Sequence, residues 1–290
     1  QATARRVAEE SIVLLKNDND ALPLDVNKLK SIAVIGENGT LLQTYGGGSA
    51  RIKVFYEITP LEGILRRVGD RATVSYSTGY AEKPNPDLSE RAVRAASQAD
   101  VVIYVGGLNH RGHFDAEATD RKDMKLPYGQ DELLQKIVDT NPRTVVVLLG
   151  GGPMEMGSWL SKVPAVLQAW YPGMEGGNAL AAVLFGDVNP SGKLSCTFPK
   201  RLEDSPAHAM GNYPGKDGVV RYEEGLLVGY RWFDTKNIEP LFPFGHGLSY
   251  TRFEYSNLRL KPGTDDKGVV TAEFEVKNVG SRDGAEVAQL

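Results

Sequence analysis

The chain has 290 residues, 41% hydrophobic and 24% charged, with a formal net charge of −4. That length supports a full core and more than one domain, and the slightly acidic balance gives no reason to expect nucleic acid or an anionic membrane as partner. A single cysteine, Cys196, excludes an internal disulfide, and no apolar run reaches the roughly 18 residues of a membrane span.

In chain order, residues 2–17 read as an amphipathic helix, with Val7, Ser11, Leu14 and Leu15 near one face. SIAVIG at 31–36 is a buried parallel-strand run. Gly46-Gly47-Gly48-Ser49 follows it as a loop. A phosphate cradle there lacks the GxGxxG spacing and a following Lys-Ser/Thr pair. The plainer reading is a turn where the backbone approaches another surface closely. Residues 59–68 form a helix with Pro60 in its first turn, 73–76 a strand, and 87–98 a helix capped by Asp87 or Ser89. The strand DVVIYVG at 100–106 opens into a long polar loop that closes on a helix at 130–141. Strands at 144–149 and 163–169 and a helix at 175–185 complete the alternation.

This alternation predicts a three-layer αβα sandwich with a mostly parallel sheet. Right-handed crossovers align the loops after each strand along one ligand-facing edge. From 189 to 250 the periodicity fades into a Gly-, Pro- and aromatic-rich stretch. Trp, Phe and Tyr at that density point to ordered arms wrapping over a neighbouring surface, not a flexible linker. Alternation at 252–260 and 269–278 reads as the opening strands of a β-sandwich. The expected division is a sandwich domain at 1–200, a wrapping segment at 201–250 and a partial β-sandwich at 251–290. Cys196, in the apolar run 194–198, reads as a buried structural thiol. The lack of disulfides fits a reducing compartment without fixing one. No signal peptide is visible, and the chain reads as a soluble piece of unassigned location. It opens at Gln1 in helix pattern and stops at Leu290 in a strand-like run, and so reads as a fragment.

The loop after the 100–106 strand holds Asp115, Glu117, Asp120 and Asp123 among Arg111, Arg121, Lys122 and Lys125, with His110 and His113 nearby. By default such a carboxylate is solvated. The two His residues admit a metal, but no further ligand cluster is evident, so none is expected.

Taken together the motifs resemble the C-terminal half of family 3 glycoside hydrolases, the β-glucosidase and β-xylosidase group. The residues that carry this are AEESIVLLKND at 8–18, LPL at 22–24, IAVIGEN at 32–38 and YGGGSA at 45–50. Next come GLNHRGHFDAEATDRKDMKLPYGQDEL at 107–133, WYPGMEGGNALAAVLFGDVNPSGKL at 170–194 and TFPK at 197–200. YEEGLLVGYRWFD at 222–234 and PLFPFGHGLSYTRF at 240–253 complete the series, in the family's order and over nearly the whole chain.

The resemblance implies an enzyme built from a TIM barrel, an α/β sandwich and a fibronectin-III-like domain. This chain would be the sandwich and the start of the third domain, and inactive alone. The barrel, with its nucleophilic Asp, is not among these residues, and no Ser-Asp-Trp-type motif is found. Retaining glycosidases use two carboxyls about 5–5.5 Å apart. By resemblance Glu117 is the general acid/base, a few residues before Asp120-Arg121, which would support the loop. The sequence departs from the family at Ala118 and Thr119, where a Gly and an aromatic are common. Asp115 is the rival acid. Ser49 is the implied substrate-binding residue; Tyr45, Trp170 and Trp232 could contact sugar but are more readily packing. The implied substrate is a β-linked oligosaccharide or glucoside, with no cofactor. Alternatives are a β-xylosidase or α-arabinofuranosidase of the same family, a non-catalytic sugar- or partner-binding module, or a nucleotide-binding α/β protein.

Overall fold

The computed structural model describes residues 1–44, 48–50, 52–110, 115–117, 121–263 and 269–289. Apolar runs of the expected type form a six-stranded sheet. Strands Ser31–Ile35 (β2), Thr73–Ser77 (β3), Val101–Gly107 (β4), Thr144–Leu149 (β5) and Ala165–Trp170 (β6) are parallel. Val13–Asn17 (β1) pairs antiparallel with β6, and the order is β1-β6-β5-β4-β2-β3.

Both faces are covered. Helices Ala2–Ser11 (α1), Pro60–Val68 (α2) and Gly176–Leu184 (α5) pack Ala8, Ile64, Val68 and Val183 on one face, against Ile32, Val34, Ile103 and Val147. Helices Pro86–Ser97 (α3) and Gln130–Thr140 (α4) pack Ala92, Ala96, Leu133 and Ile137 on the other, against Ala33, Ile35, Tyr104 and Val146. Strands buried on both sides read as unbroken apolar runs. The capping of α2 is legible: Thr59 and Glu62 form a reciprocal capping box, with Pro60 at the first turn. At α3, Asn85 caps instead of Asp87 or Ser89, accepting the Asp87 N–H at 3.1 Å.

The single helix expected over 2–17 is corrected. The helix ends at Ser11, Ile12 turns extended (φ −62°, ψ 128°), and 13–17 is strand β1. Ile12 and Leu14 enter one core and Val13 and Leu15 the other. A strand buried on both faces offers adjacent apolar residues that also satisfy a helical pattern. The outer edge of β1 is covered by the later arm, where the Leu248 N–H donates to the Leu14 carbonyl at 2.8 Å.

Residues 189–250 follow the sandwich closely. Phe198 and Phe242 bridge to each other and enter the core. A short helix, Pro206–Ala209 (α6), leads to Tyr230–Lys236 (α7), where Trp232 is buried and donates to the Asp204 carbonyl at 3.1 Å. Strands Phe253–Pro262 (β7) and Val270–Asn278 (β8) then pair as an antiparallel ribbon. Among the described residues no helix is long and apolar enough to cross a membrane.

Candidate active site

The loops after β2, β4, β5 and β6 leave the same edge of the sheet, where α/β folds place ligands. Gly107 ends β4 at φ +106°, and a Cβ there would lie 2.1 Å from the Leu149 carbonyl oxygen, so only glycine lets the loop depart. The loop's two ends are tied together. Buried Gln130, at the start of α4, accepts the Gly107 N–H at 2.9 Å and donates to the Gly107 carbonyl at 2.8 Å. Asp131 accepts the Trp159 indole N–H at 2.8 Å and the Leu126 N–H at 3.4 Å. Burial pushes its carboxyl above the ordinary aspartate value.

The loop after β2 rests on a buried amide floor. Asn38 donates to the Leu108 carbonyl at 3.0 Å, and Gln43 and Asn109 each approach its Oδ1 at 3.4 Å. Glu57 closes this loop by accepting the Gln43 N–H at 2.5 Å and the Thr44 hydroxyl. A cavity of about 480 Å³ opens here, between Leu42, Thr44, Ile52 and Tyr56 on one side and Asn109 and His110 on the other. Of the lining residues, Leu42 and Ile52 are exposed.

Glu117 is exposed and meets the tip of that loop. Its Oε2 accepts the Ser49 N–H at 2.5 Å. Gly48, at φ +70°, lies against the same side chain, and a Cβ there would fall 2.2 Å from Oε2. The Ser49 N–H, with a further contribution from the Ser49 side chain, holds the Glu117 carboxyl below the ordinary glutamate value. As it stands Glu117 is an accessible carboxylate whose ionised form the Ser49 contact favours.

Asp115, the rival acid, is engaged elsewhere. Its Oδ2 accepts the Gly151 N–H at 2.6 Å and the Tyr171 hydroxyl at 2.8 Å. His110 Nδ1 lies 2.9 Å from the Asp115 carbonyl, and the His110 ring stands 4.2 Å from that of Tyr171. Arg121 donates to the Pro153 carbonyl at 2.7 Å, while its buried Nη2 has no hydrogen-bond partner among the described residues. Burial pulls the Arg121 guanidinium down, opposed by Asp115 and Asp123.

The structure therefore brings Ser49 and Glu117 together and ties Arg121, on the same loop as Glu117, to the loop after β5 through Pro153. Asp120, His113, Tyr45 and the first two glycines of the phosphate-cradle alternative, Gly46 and Gly47, lie outside the described residues. Trp232 and Trp170 are packing groups: the Trp170 indole N–H donates to the Ser11 carbonyl at 3.1 Å and its ring stands edge-on to Phe198. Trp170 also sits at φ +55°, a left-handed position that costs a non-glycine residue about 1–3 kcal/mol. The ties through Gln130, Asp115 and Tyr171 were not anticipated from the sequence.

Comparison with known proteins identifies the family. A family model described as "Glycosyl hydrolase family 3 C-terminal domain" matches residues 12–250. The chain is 42% identical to the β-glucosidase BoGH3A of Bacteroides ovatus, over 99% of this chain and 41% of that protein. It is 44% identical to the thermostable β-glucosidase B of Acetivibrio thermocellus, over 99% of this chain and 38% of that protein. The crystal structure of the Bifidobacterium adolescentis GH3 β-glucosidase superposes with a TM-score of 0.87 at 35% identity, over 96% of this chain and 40% of that one. The chain thus spans about two fifths of the length of these relatives. With the family model covering most of its residues, the chain belongs to glycoside hydrolase family 3 and carries that family's C-terminal domain.

Proposed function

We propose that this chain is the sandwich portion of a retaining β-glucosidase that hydrolyses terminal β-D-glucosyl residues from oligosaccharides or glucosides. Glu117 is the general acid/base and Ser49 a contact to the sugar. The nucleophilic Asp belongs to a TIM barrel in the part of such enzymes that this chain does not span, so the 290 residues alone are inactive. The division at residues 200 and 250 and the fibronectin-III-like identity of the β7–β8 ribbon belong to the same proposal.

One observation carries it. The residues nominated for catalysis and for sugar binding, 68 positions apart, are hydrogen-bonded to each other on an exposed rim. Exposed Leu42 and Ile52, lining the cavity at the loop after β2, suit a surface that a second domain covers.

The barrel Asp attacks the anomeric carbon while Glu117 gives its proton to the departing oxygen, leaving a glycosyl ester. Water then attacks the ester as Glu117 takes its proton back, freeing the Asp. In the first step Glu117 must be protonated. A second carboxylate about 5–5.5 Å away and the exclusion of water both raise its pKa, reversing the influence of Ser49. Arg121, and Asp120 beside it, support the loop. The test is a Glu117→Gln variant of the complete enzyme, assayed on poor and activated leaving groups; equal activity to the parent on both defeats the proposal.

A further inference from the structure

We infer that Asp115 and Tyr171 are positioning residues for Glu117: together they fasten the loop that carries it to the two neighbouring loops of the rim. The inference rests on the reading of Glu117 as acid/base and adds what holds that group in place. Asp115 is two residues from Glu117, so their Cα atoms lie within about 7 Å, and a tie on one restrains the other.

The tie spans three adjacent strands. β4, β5 and β6 are neighbours in the sheet, and each ends in a loop of the rim. The Asp115 carboxylate comes from the β4 loop, Gly151 offers its N–H from the β5 loop, and Tyr171 its hydroxyl from the β6 loop. Gly151 suits the approach, because a Cβ there would lie 3.1 Å from Asp115 Oδ2. The Tyr171 hydroxyl stays a donor, since burial first and Asp115 second push its pKa up. His110 closes the arrangement, its ring tilted by 32° against that of Tyr171 and its Nδ1 meeting the Asp115 carbonyl.

The left-handed turn at Trp170 fits the same design. The pairing register of β5 with β6 shifts there, between Leu148 and Leu149, with Leu149 opposite Trp170. Tyr171 is the next residue, and its side chain reaches Asp115 across 56 positions of sequence. Strained backbone that persists beside a site is paid for by surrounding contacts; here those contacts include the Tyr171–Asp115 bond. Positioning of this kind has leverage, because a displacement of about 1 Å at a reacting group costs on the order of 10²-fold in rate.

The test uses Tyr171→Phe in the complete enzyme, which removes one hydroxyl and keeps the ring. Kinetics are measured on an alkyl glucoside, whose leaving group needs protonation, and on a dinitrophenyl glucoside, whose leaving group does not. The expected result is a fall of at least about 10-fold in the glycosylation rate on the alkyl substrate, with a much smaller fall on the dinitrophenyl substrate and little change in KM. Asp115→Asn, which keeps the shape but alters the acceptor, should show the same selectivity. An equal loss on both substrates, or no loss on either, overturns the inference. Glu117→Ala run alongside separates the two readings. If it is leaving-group selective and Tyr171→Phe is not, only the positioning role falls; if Glu117→Ala is not selective, the acid/base assignment itself falls.

Discussion

Glu117 Oε2 lies 2.5 Å from the backbone nitrogen of Ser49, and the chain runs 68 residues between them. The contact joins the loop after β2 to the loop after β4, whose parent strands are neighbours in the sheet. It gives the carboxylate an address on the rim and sets its protonation. It also makes Gly48, which carries no functional group, a sensitive position.

Replacing Gly48 by alanine would put a Cβ 2.4 Å from the Glu117 Cβ and 2.2 Å from Oε2, at a backbone φ of +70° that favours glycine. One of the two loops has to move. The expected outcome for Gly48→Ala is a loss on the order of 10²-fold in kcat of the complete enzyme. The accompanying stability loss is at least about 1–2 kcal/mol. Steady-state kinetics and a denaturant titration check the two parts separately.

The protonation of Glu117 gives a second prediction. Its folded-state pKa is depressed by the Ser49 N–H. The contact therefore adds stability above the unfolded glutamate value of about 4.3, and that contribution is lost as pH falls through the lower folded value. A carboxyl-carbon NMR titration of the 290-residue chain should place the Glu117 midpoint below about 4.3. In the complete enzyme the midpoint should lie above it, because a second carboxylate then faces the group. A midpoint above 4.3 in the chain alone would mean that the Ser49 contact does not form in solution.

Gln130 tests what holds the loop ends. It is fully buried and pairs in both directions with Gly107. Gln130→Ala leaves the Gly107 N–H and carbonyl without these partners, at about 1–3 kcal/mol for each buried group. The midpoint of urea unfolding should drop by an amount corresponding to about 2–6 kcal/mol. An unchanged midpoint would show that water replaces the side chain without cost.

The central parallel strands and the helices between them were legible in the sequence because each buries a contiguous apolar run or an amphipathic stripe. The exception, at 13–17, arose because Ile12, Val13, Leu14 and Leu15 serve two cores at once and imitate a helical face. Glu117 and Ser49 were nominated through family motifs. Composition and spacing alone do not distinguish Glu117 from the other acids of its loop. The ties through Asp115 and Tyr171 were not legible, since they link residues 36 and 56 positions apart whose meeting depends on sheet order and on the turn at Trp170. Gln130 reads as an ordinary first-turn helix residue until the Gly107 backbone is seen beside it.

The central claim is that the Glu117 side chain moves the proton at the glycosidic oxygen. The most direct measurement is the glycosylation rate of the complete enzyme carrying Glu117→Gln, read as a function of leaving-group pKa. The account predicts that most activity is lost on alkyl glucosides and disaccharides, by about 10²–10⁴-fold as for the loss of a general acid, while activated aryl glucosides are largely spared. A rate unchanged on both substrate types would contradict it.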